Sequence, residues 1–248
     1  MDRVPWGDYF DRVEAIRYTG YDADRGCAFR REIERVGLGG MVVNRWVTQS
    51  PFVRRLAASD LAPARGIGAF SELVAGMYPA VKTSLDLGAG RLLVLEDDIR
   101  FLQDMACLKR ALESMPRDFS TLRLSWMMVD GKRRTVFRDE GTSGGRCYWA
   151  PVDHMDVPVI KDTGAVVFSR RGMAFFATAV EKALDHGGSL AYCDSQRYYE
   201  TDAPGAPGCM YVSVPLVACQ HKFADRMCRK HNYGAYYGPY MATCGYGD

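Results

Sequence analysis

Three features are missing from this sequence, and each absence narrows the class of protein. Its eight cysteines include no Cys-x-x-Cys pair, so their spacing is poor for zinc and does not demand disulfides. No stretch approaches the roughly 20 apolar residues of a membrane-spanning helix, and the opening Met-Asp-Arg leads into no apolar run of signal-peptide length. We therefore expect a cytoplasmic protein whose cysteines are buried thiols.

A strong charge of one sign is also lacking. The formal net charge is +2, and the positive residues lie in short clusters such as 54–55 and 132–134, which are typical of solvated surface and not of a nucleic-acid track. We therefore expect no nucleic-acid partner. With 248 residues, 48% of them apolar, the chain is long enough for one large α/β domain or for two small ones.

The hydrophobic pattern alternates between strand and helix periods along the first half of the chain. It predicts a strand at 13–18, a helix whose apolar residues recur from Phe29 to Val36, and a second strand at 41–47. Such a succession is a βαβ unit with parallel strands. Later segments continue the alternation, with a helix from 66 that kinks or ends at Pro79, a helix at 108–115, a strand at 121–128 and an irregular stretch at 129–157. The sequence thus predicts an α/β protein with a mostly parallel central sheet.

A buried strand that ends in three acids is predicted to organise the fold. Leu92 to Leu95 are consecutive apolar residues, typical of a strand covered on both faces, and Glu96, Asp97 and Asp98 follow directly. Since side chains alternate along an extended strand, Glu96 and Asp98 are predicted to share one side and Asp97 to point away. Such a pair suits Mg2+ or Mn2+ held with substrate phosphates, and open α/β sheets bind ligands at this end of their strands. The alternative is a solvated turn or the first turn of a helix, where acids are also common.

The run Leu-Val-Leu-Glu-Asp-Asp-Ile at 93–99 resembles the metal-binding signature of glycosyltransferase family 25, which contains bacterial lipopolysaccharide-type and collagen-type galactosyltransferases. Residues 10–25 resemble the family's first strand and arginine-bearing nucleotide loop. Residues 162–173 resemble its segment with Gly-Ala and Ser-Arg, and residues 214–220 its late strand ending in Gln. One position departs, because Glu72 stands where the family usually has histidine.

The resemblance implies a GT-A-like, Rossmann-type fold over residues 1–228, followed by a Tyr- and Gly-rich extension at 229–248. It implies a UDP-sugar donor carrying galactose or glucose, Mn2+ or Mg2+ as cofactor, and inverting transfer to a glycan, lipid-linked or protein acceptor. Association with the membrane periphery would let the protein reach a lipid-linked acceptor. The sequence indicates nothing about the oligomeric state.

Particular residues acquire roles from this resemblance. Asp98 is the expected direct metal ligand, and Glu96 is expected to bind the metal's water shell or the ribose. Asp97 is the weaker candidate for these contacts, because strand geometry predicts that it points away. Arg17, Thr19 and Arg25 would hold the nucleotide at the end of the first strand, although Arg25 could equally be a surface arginine.

The remaining candidates lie in the second half of the chain. Thr163 and Gly164 are small enough for the backbone to approach the donor sugar, or they simply begin a strand. Asp194 is the expected general base, and Asp162 is the reserve candidate. The alternative role of Asp194 is a helix N-cap. His221 is a candidate additional metal ligand by analogy with other GT-A enzymes, or a structural histidine.

Two rival functions compete with this prediction. A phosphatase of the haloacid-dehalogenase type requires Asp-x-Asp-x-Thr near the start of the chain, and Glu96-Asp97-Asp98 offers neither the place nor the threonine. A catalytically silent protein that binds a sugar nucleotide or glycan would keep the fold without the activity. This alternative stays open because Glu72 replaces the histidine that the family usually has.

Overall fold

A computed structural model describes ten segments of the chain, namely residues 4–17, 23–47, 69–101, 105–125, 127–128, 148–151, 160–161, 164–186, 210–214 and 217–220. Five helices are described: α1 (Trp6–Tyr9), α2 (Ala23–Arg35), α3 (Ala69–Asp86), α4 (Met105–Glu113) and α5 (Arg170–His186). Strands β1 to β6 are Arg12–Arg17, Val42–Trp46, Arg91–Glu96, Ile99–Phe101, Thr121–Arg123 and Met127–Met128. Strands β7 to β11 are Tyr148–Pro151, Ile160–Lys161, Ala165–Ser169, Met210–Val214 and Ala218–Gln220.

The largest sheet has the strand order β2-β1-β3-β9-β5-β10-β7. Strand β1 lies parallel to both β2 and β3, and β5 lies parallel to β10. Strands β9 and β7 run antiparallel to their neighbours. The predicted α/β class with a mostly parallel sheet is therefore confirmed, including the βαβ unit formed by β1, α2 and β2.

Helices cover both faces of this sheet. Val13 and Leu93 point to the face where α1, α2 and α4 pack, and they share one buried apolar cluster with Phe29 of α2. Their neighbours in sequence point to the other face, where Ile16 meets Gly76 of α3 so closely that a Cβ on that glycine would lie 2.4 Å from the Ile16 Cγ2. Strand β3 is thus covered on both sides, which explains its unbroken apolar sequence.

The structure refines the predicted elements in three places. Helix α3 continues through Pro79 to Asp86, so of the two predicted alternatives, a kink or an end at the proline, the end is excluded. The strand predicted at 121–128 is two short strands, β5 in the large sheet and β6 paired with β8. The stretch predicted to be irregular contains β7, an edge strand of the large sheet that is only four residues long, too short for a periodic signal.

Asp11 anchors the beginning of the central strand β3. Its Oδ2 accepts hydrogen bonds from the backbone N–H groups of Gly90 and Arg91, both at 2.8 Å. We expect Asp11→Ala to lower the free energy of unfolding by about 1–3 kcal/mol, because two backbone donors lose a charged acceptor. Urea denaturation measures this change. Asp86→Ala is the control, since it removes only an exposed ion pair with Lys82 and should change stability by about 0.5 kcal/mol or less; equal effects of both variants would contradict the prediction.

Candidate active site

The chain reverses its direction of travel across the sheet between β1 and β3. From β1 the chain crosses through α2 to β2 on one side, and from β2 it returns through α3 to β3 on the other. Helices α2 and α3 lie on opposite faces, so a crevice is expected outside the carboxyl ends of β1 and β3. Open α/β sheets bind their ligands at such switch points. Arg17 ends β1 and Glu96 ends β3, so this edge is the candidate site.

Two aspartates of this edge hold one arginine. The Nε of Arg25 donates to Asp97 Oδ1 at 2.6 Å, and its Nη2 contacts Asp97 Oδ1 and lies 3.1 Å from Asp98 Oδ2. The side chains of all three residues are nearly buried, with 8% of Arg25, 3% of Asp97 and 10% of Asp98 exposed. Arg25 is therefore a buried residue of this candidate site, and the alternative of a surface arginine is wrong.

The orientation of the acids differs from the expected alternation. Strand alternation predicts that Asp97 points away from Asp98, but both aspartates contact Arg25. The reason is that β3 ends at Glu96 and that Asp97 and Asp98 lie in a turn before β4, where the period of two no longer holds. Glu96 lies opposite Ile16 in the ladder and so shares the α3 side of the sheet.

Arg17 is held between two aromatic rings beside the acids. Its guanidinium carbon lies 4.7 Å from the ring centroid of Phe29 and 5.3 Å from that of Trp46, and its Nε is 3.7 Å from Asp97 Oδ2. Both rings lie within cation–π range. Within the part of the chain that the structure describes, this buried Nε makes no hydrogen bond.

The two arginines differ in electrostatic environment. Burial lowers the pKa of Arg17, and the Asp97 carboxylate offsets this effect only in part. Burial acts in the same sense on Arg25, but the carboxylates of Asp98 and Asp97 outweigh it and raise the pKa of Arg25 above its ordinary value. Both guanidinium groups are positively charged near pH 7. Arg17, Asp97, Arg25 and Asp98 thus form a row of alternating charges, called the charge row below.

A cavity of about 270 Å3 opens beside Arg25, between α2 and the turn after β3. Its lining carries four arginines and three acids among ten residues, namely Arg25, Ala28, Phe29, Arg31, Glu32, Arg35, Asp97, Asp98, Ile99 and Arg100. Guanidinium groups recognise phosphate oxygens with two parallel hydrogen bonds. The cavity is therefore suited to a small anionic group such as a diphosphate.

The acids of the charge row are of the type that binds a divalent cation, and both lie near one position. Carboxylate oxygens are the ligands that Mg2+ and Mn2+ prefer, and one guanidinium nitrogen already lies against both carboxylates. Among the described residues, no group of three or more His, Cys, Asp or Glu side chains could hold a metal ion. Mg2+ commonly uses only one or two carboxylates and completes its coordination with substrate phosphates and water.

The described residues bring six of the predicted site residues to one edge: Arg17, Arg25, Glu96, Asp97, Asp98 and Gly164. Gly164 joins them because its carbonyl accepts a hydrogen bond of 2.9 Å from the N–H of Glu96. Thr19, Asp162, Thr163, Asp194 and His221, and the extension at 229–248, lie outside the described residues. Their roles, and the domain limits, remain predictions.

Sequence reasoning did not identify Phe29 and Trp46 as residues of the candidate site. Phe29 matched the apolar stripe of α2, and it does lie in the core cluster, so its contact with Arg17 is a second role that periodicity cannot signal. Trp46 ends the edge strand β2 with 39% of its surface exposed. Only the parallel pairing of Arg17 with Trp46 brings them together.

No helix in the described part of the chain has both the length and the apolar character needed to cross a bilayer. No protein-family model and no curated protein matches the chain.

Three solved structures are similar to the chain at a low level. One is a mannose-1-phosphate geranyltransferase from Thermus thermophilus, with 14% identity and a TM-score of 0.39 over 81% of this chain and 72% of that chain. The others are an active-site mutant of LgtC, with 10% identity and a TM-score of 0.40, and galactosyltransferase LgtC in complex with donor and acceptor sugar analogs, with 10% identity and a TM-score of 0.37. Each LgtC match covers 96% of this chain and 97% of that chain. Superpositions this weak carry no argument about activity, so the function is inferred from the site residues.

Proposed function

We propose that the chain is a metal-dependent glycosyltransferase with a GT-A-like fold, which moves galactose or glucose from a UDP-sugar to a hydroxyl of a glycan acceptor. The observation that supports this proposal is the charge row at the switch point beside a cavity rich in arginine. The donor carries a diphosphate, whose oxygens match guanidinium donors and whose charge suits a site with carboxylate-bound metal.

The proposed reaction exchanges one bond at the anomeric carbon. The bond between this carbon and the UDP oxygen breaks, a bond to the acceptor oxygen forms on the opposite face, and the acceptor's proton passes to a carboxylate. Negative charge grows on the departing UDP, so cationic groups at the diphosphate lower the barrier. A divalent cation held by Asp98 would supply Lewis-acid stabilisation of the same charge.

The side chains of the site have separate roles in this proposal. Arg17 binds a phosphate oxygen through its buried Nε, which the aromatic rings hold in place. Asp98 is the proposed direct metal ligand, with Glu96 and His221 as further candidates, and Asp97 orients both arginines. Thr19 completes the nucleotide contacts.

The acceptor side of the site is assigned to the second half of the chain. Gly164, with Thr163, lets the donor sugar approach the backbone next to Glu96. Asp194 is the proposed general base, and Asp162 is the reserve.

The test is thermal unfolding of the protein with a panel of sugar nucleotides, each with and without Mn2+. A ligand at about 100 times its dissociation constant adds roughly 2.7 kcal/mol of stability, which should raise the midpoint by about 5–10 °C for a chain of this size. We expect stabilisation by UDP-galactose or UDP-glucose that is larger with Mn2+. ADP- and GDP-sugars are the matched controls, and no response to any nucleotide would contradict the proposal.

Turnover distinguishes the transferase from a silent binding protein of the same fold. The bound UDP-sugar is incubated with glycan acceptors, and release of UDP is followed. A transferase releases UDP and glycosylates the acceptor, whereas a binding protein is stabilised by the UDP-sugar and releases none.

A further inference from the structure

Arg25 takes the position between two carboxylates that a divalent cation would need. Its guanidinium bonds to Asp97 twice and lies 3.1 Å from Asp98 Oδ2. All three side chains are almost completely buried, so water screens these charges little. A metal ion that enters here has to displace the guanidinium from at least one carboxylate.

Arg17 is held in place, so it cannot move away from the acids as Arg25 can. It contacts Asp97 only at 3.7 Å, and the rings of Phe29 and Trp46 hold its guanidinium. Arg25 also lies close enough to Glu96 for that carboxylate to raise the pKa of Arg25. If Arg25 moved away, the acids at this edge would lose a buried positive charge, and an added cation would be attracted.

We infer that Arg25 is an internal counterion that competes with a divalent cation for Asp97 and Asp98. The inference concerns the metal of the proposed function and rests on that function for its biological meaning. In the protein without donor, Arg25 holds both acids and keeps the metal affinity low. Metal binding and release of Arg25 are then one coupled event.

The cavity beside Arg25 offers a new partner for the displaced guanidinium. Arg25 lines it together with Arg31 and Arg100, and it belongs to the first turn of α2, where the helix dipole favours anions. A diphosphate bound there would accept hydrogen bonds from Arg25 in place of the carboxylates. Because coupling between two ligands is reciprocal, a diphosphate should raise the metal affinity, and the metal should raise the diphosphate affinity by the same factor.

The experiment measures Mn2+ binding directly, by the paramagnetic resonance signal of free Mn2+ in titrations of the full chain. Arg25→Gln keeps much of the side-chain length and removes the charge. We expect this variant to bind Mn2+ without nucleotide at least about tenfold more tightly than the wild type, a coupling of ordinary size between sites. In the wild type, added UDP should tighten Mn2+ binding by a similar factor, and in Arg25→Gln this effect should shrink.

Two further variants locate the effect. Arg110→Ala removes the same charge from an exposed position of α4 and should leave Mn2+ affinity within about twofold of the wild type, because solvent screens exposed charges. Adding Asp98→Asn to Arg25→Gln should abolish the gain, since it removes one of the two contested carboxylates. If Arg25→Gln does not fold, as judged by circular dichroism, Arg25→Met replaces it, because methionine also removes the charge and its unbranched side chain adapts to the space that is left.

The outcomes separate this inference from the proposed function. Equal Mn2+ affinity of the folded Arg25 variant and the wild type overturns the inference, even where a UDP-sugar stabilises the protein. A gain in Mn2+ affinity that depends on Asp98 supports the inference, and it does so even if no sugar nucleotide binds and the proposed function fails.

Discussion

Asp98→Asn should reduce Mn2+-dependent glycosyl transfer at least about 100-fold while leaving the fold intact. Loss of a group that merely orients a metal ligand costs roughly 10–100-fold in affinity or activity, and a direct ligand should cost at least as much. The fold should persist because the asparagine amide oxygen can still accept from Arg25, which also keeps its bonds to Asp97. Turnover is measured as UDP release, and the fold by circular dichroism and the thermal midpoint.

The matched control for this variant is Asp118→Asn. Asp118 precedes β5 at the opposite edge of the sheet, is exposed, and accepts a hydrogen bond from Tyr211 at 3.2 Å. The control removes the same charge far from the site and should leave turnover unchanged. Full activity of Asp98→Asn would exclude Asp98 as a metal ligand.

Gly172→Ala should destabilise the protein by about 2–3 kcal/mol, although alanine is the better helix former by about 1 kcal/mol. Gly172 lies in the first turn of α5, and a Cβ there would be 2.1 Å from the carbonyl oxygen of Ser120 and 2.8 Å from its carbon. Backbone atoms cannot rotate out of the way as a side chain can. The Ser120 carbonyl is also held by the N–H of Ser169 at 3.0 Å.

The cap of α5 makes this contact harder to relieve. Ser169 Oγ accepts a hydrogen bond from the N–H of Gly172 at 3.2 Å, so any shift of the first turn also strains the helix cap, which is worth about 1 kcal/mol. The thermal midpoint should fall by roughly 4–10 °C. Gly7→Ala is the control, because nothing lies within 4 Å of its added Cβ. An unchanged or higher midpoint for Gly172→Ala would contradict the close packing of α5 on β5.

Much of the fold could be predicted because long periodic segments carry their own signal. The stripe from Phe29 to Val36 predicted α2, and the glycines after it predicted its end, where Gly37 has a φ of 80°. The unbroken apolar run of β3 predicted a strand with both faces covered. Short strands such as β7 and β8 have too few residues for a period, so their places in the sheets depend on partners far away in sequence.

The residue types at this edge of the sheet were predicted, but their arrangement was not. The chain order placed Arg17, Arg25 and the acids near the ends of β1 and β3, because parallel strands end at the same edge. Which acid faces which arginine could not be predicted, since it depends on the point where β3 gives way to a turn. The sequence also did not indicate which charged side chains are buried. Arg123 is fully buried on β5, yet nothing in Thr121–Arg123 distinguishes it from a surface arginine.

The sequence by itself determined the class of fold, the central strand and the identity of the charged groups at its end, because these follow from local periodicity and residue type. The tertiary structure alone decided that Arg25 lies between Asp97 and Asp98 and that Phe29 and Trp46 enclose Arg17. Such contacts join residues from separate elements, and the pairing of strands and the packing of α2 decide their geometry. Local sequence specifies which charges are present, but only the folded chain decides which of them neutralise one another.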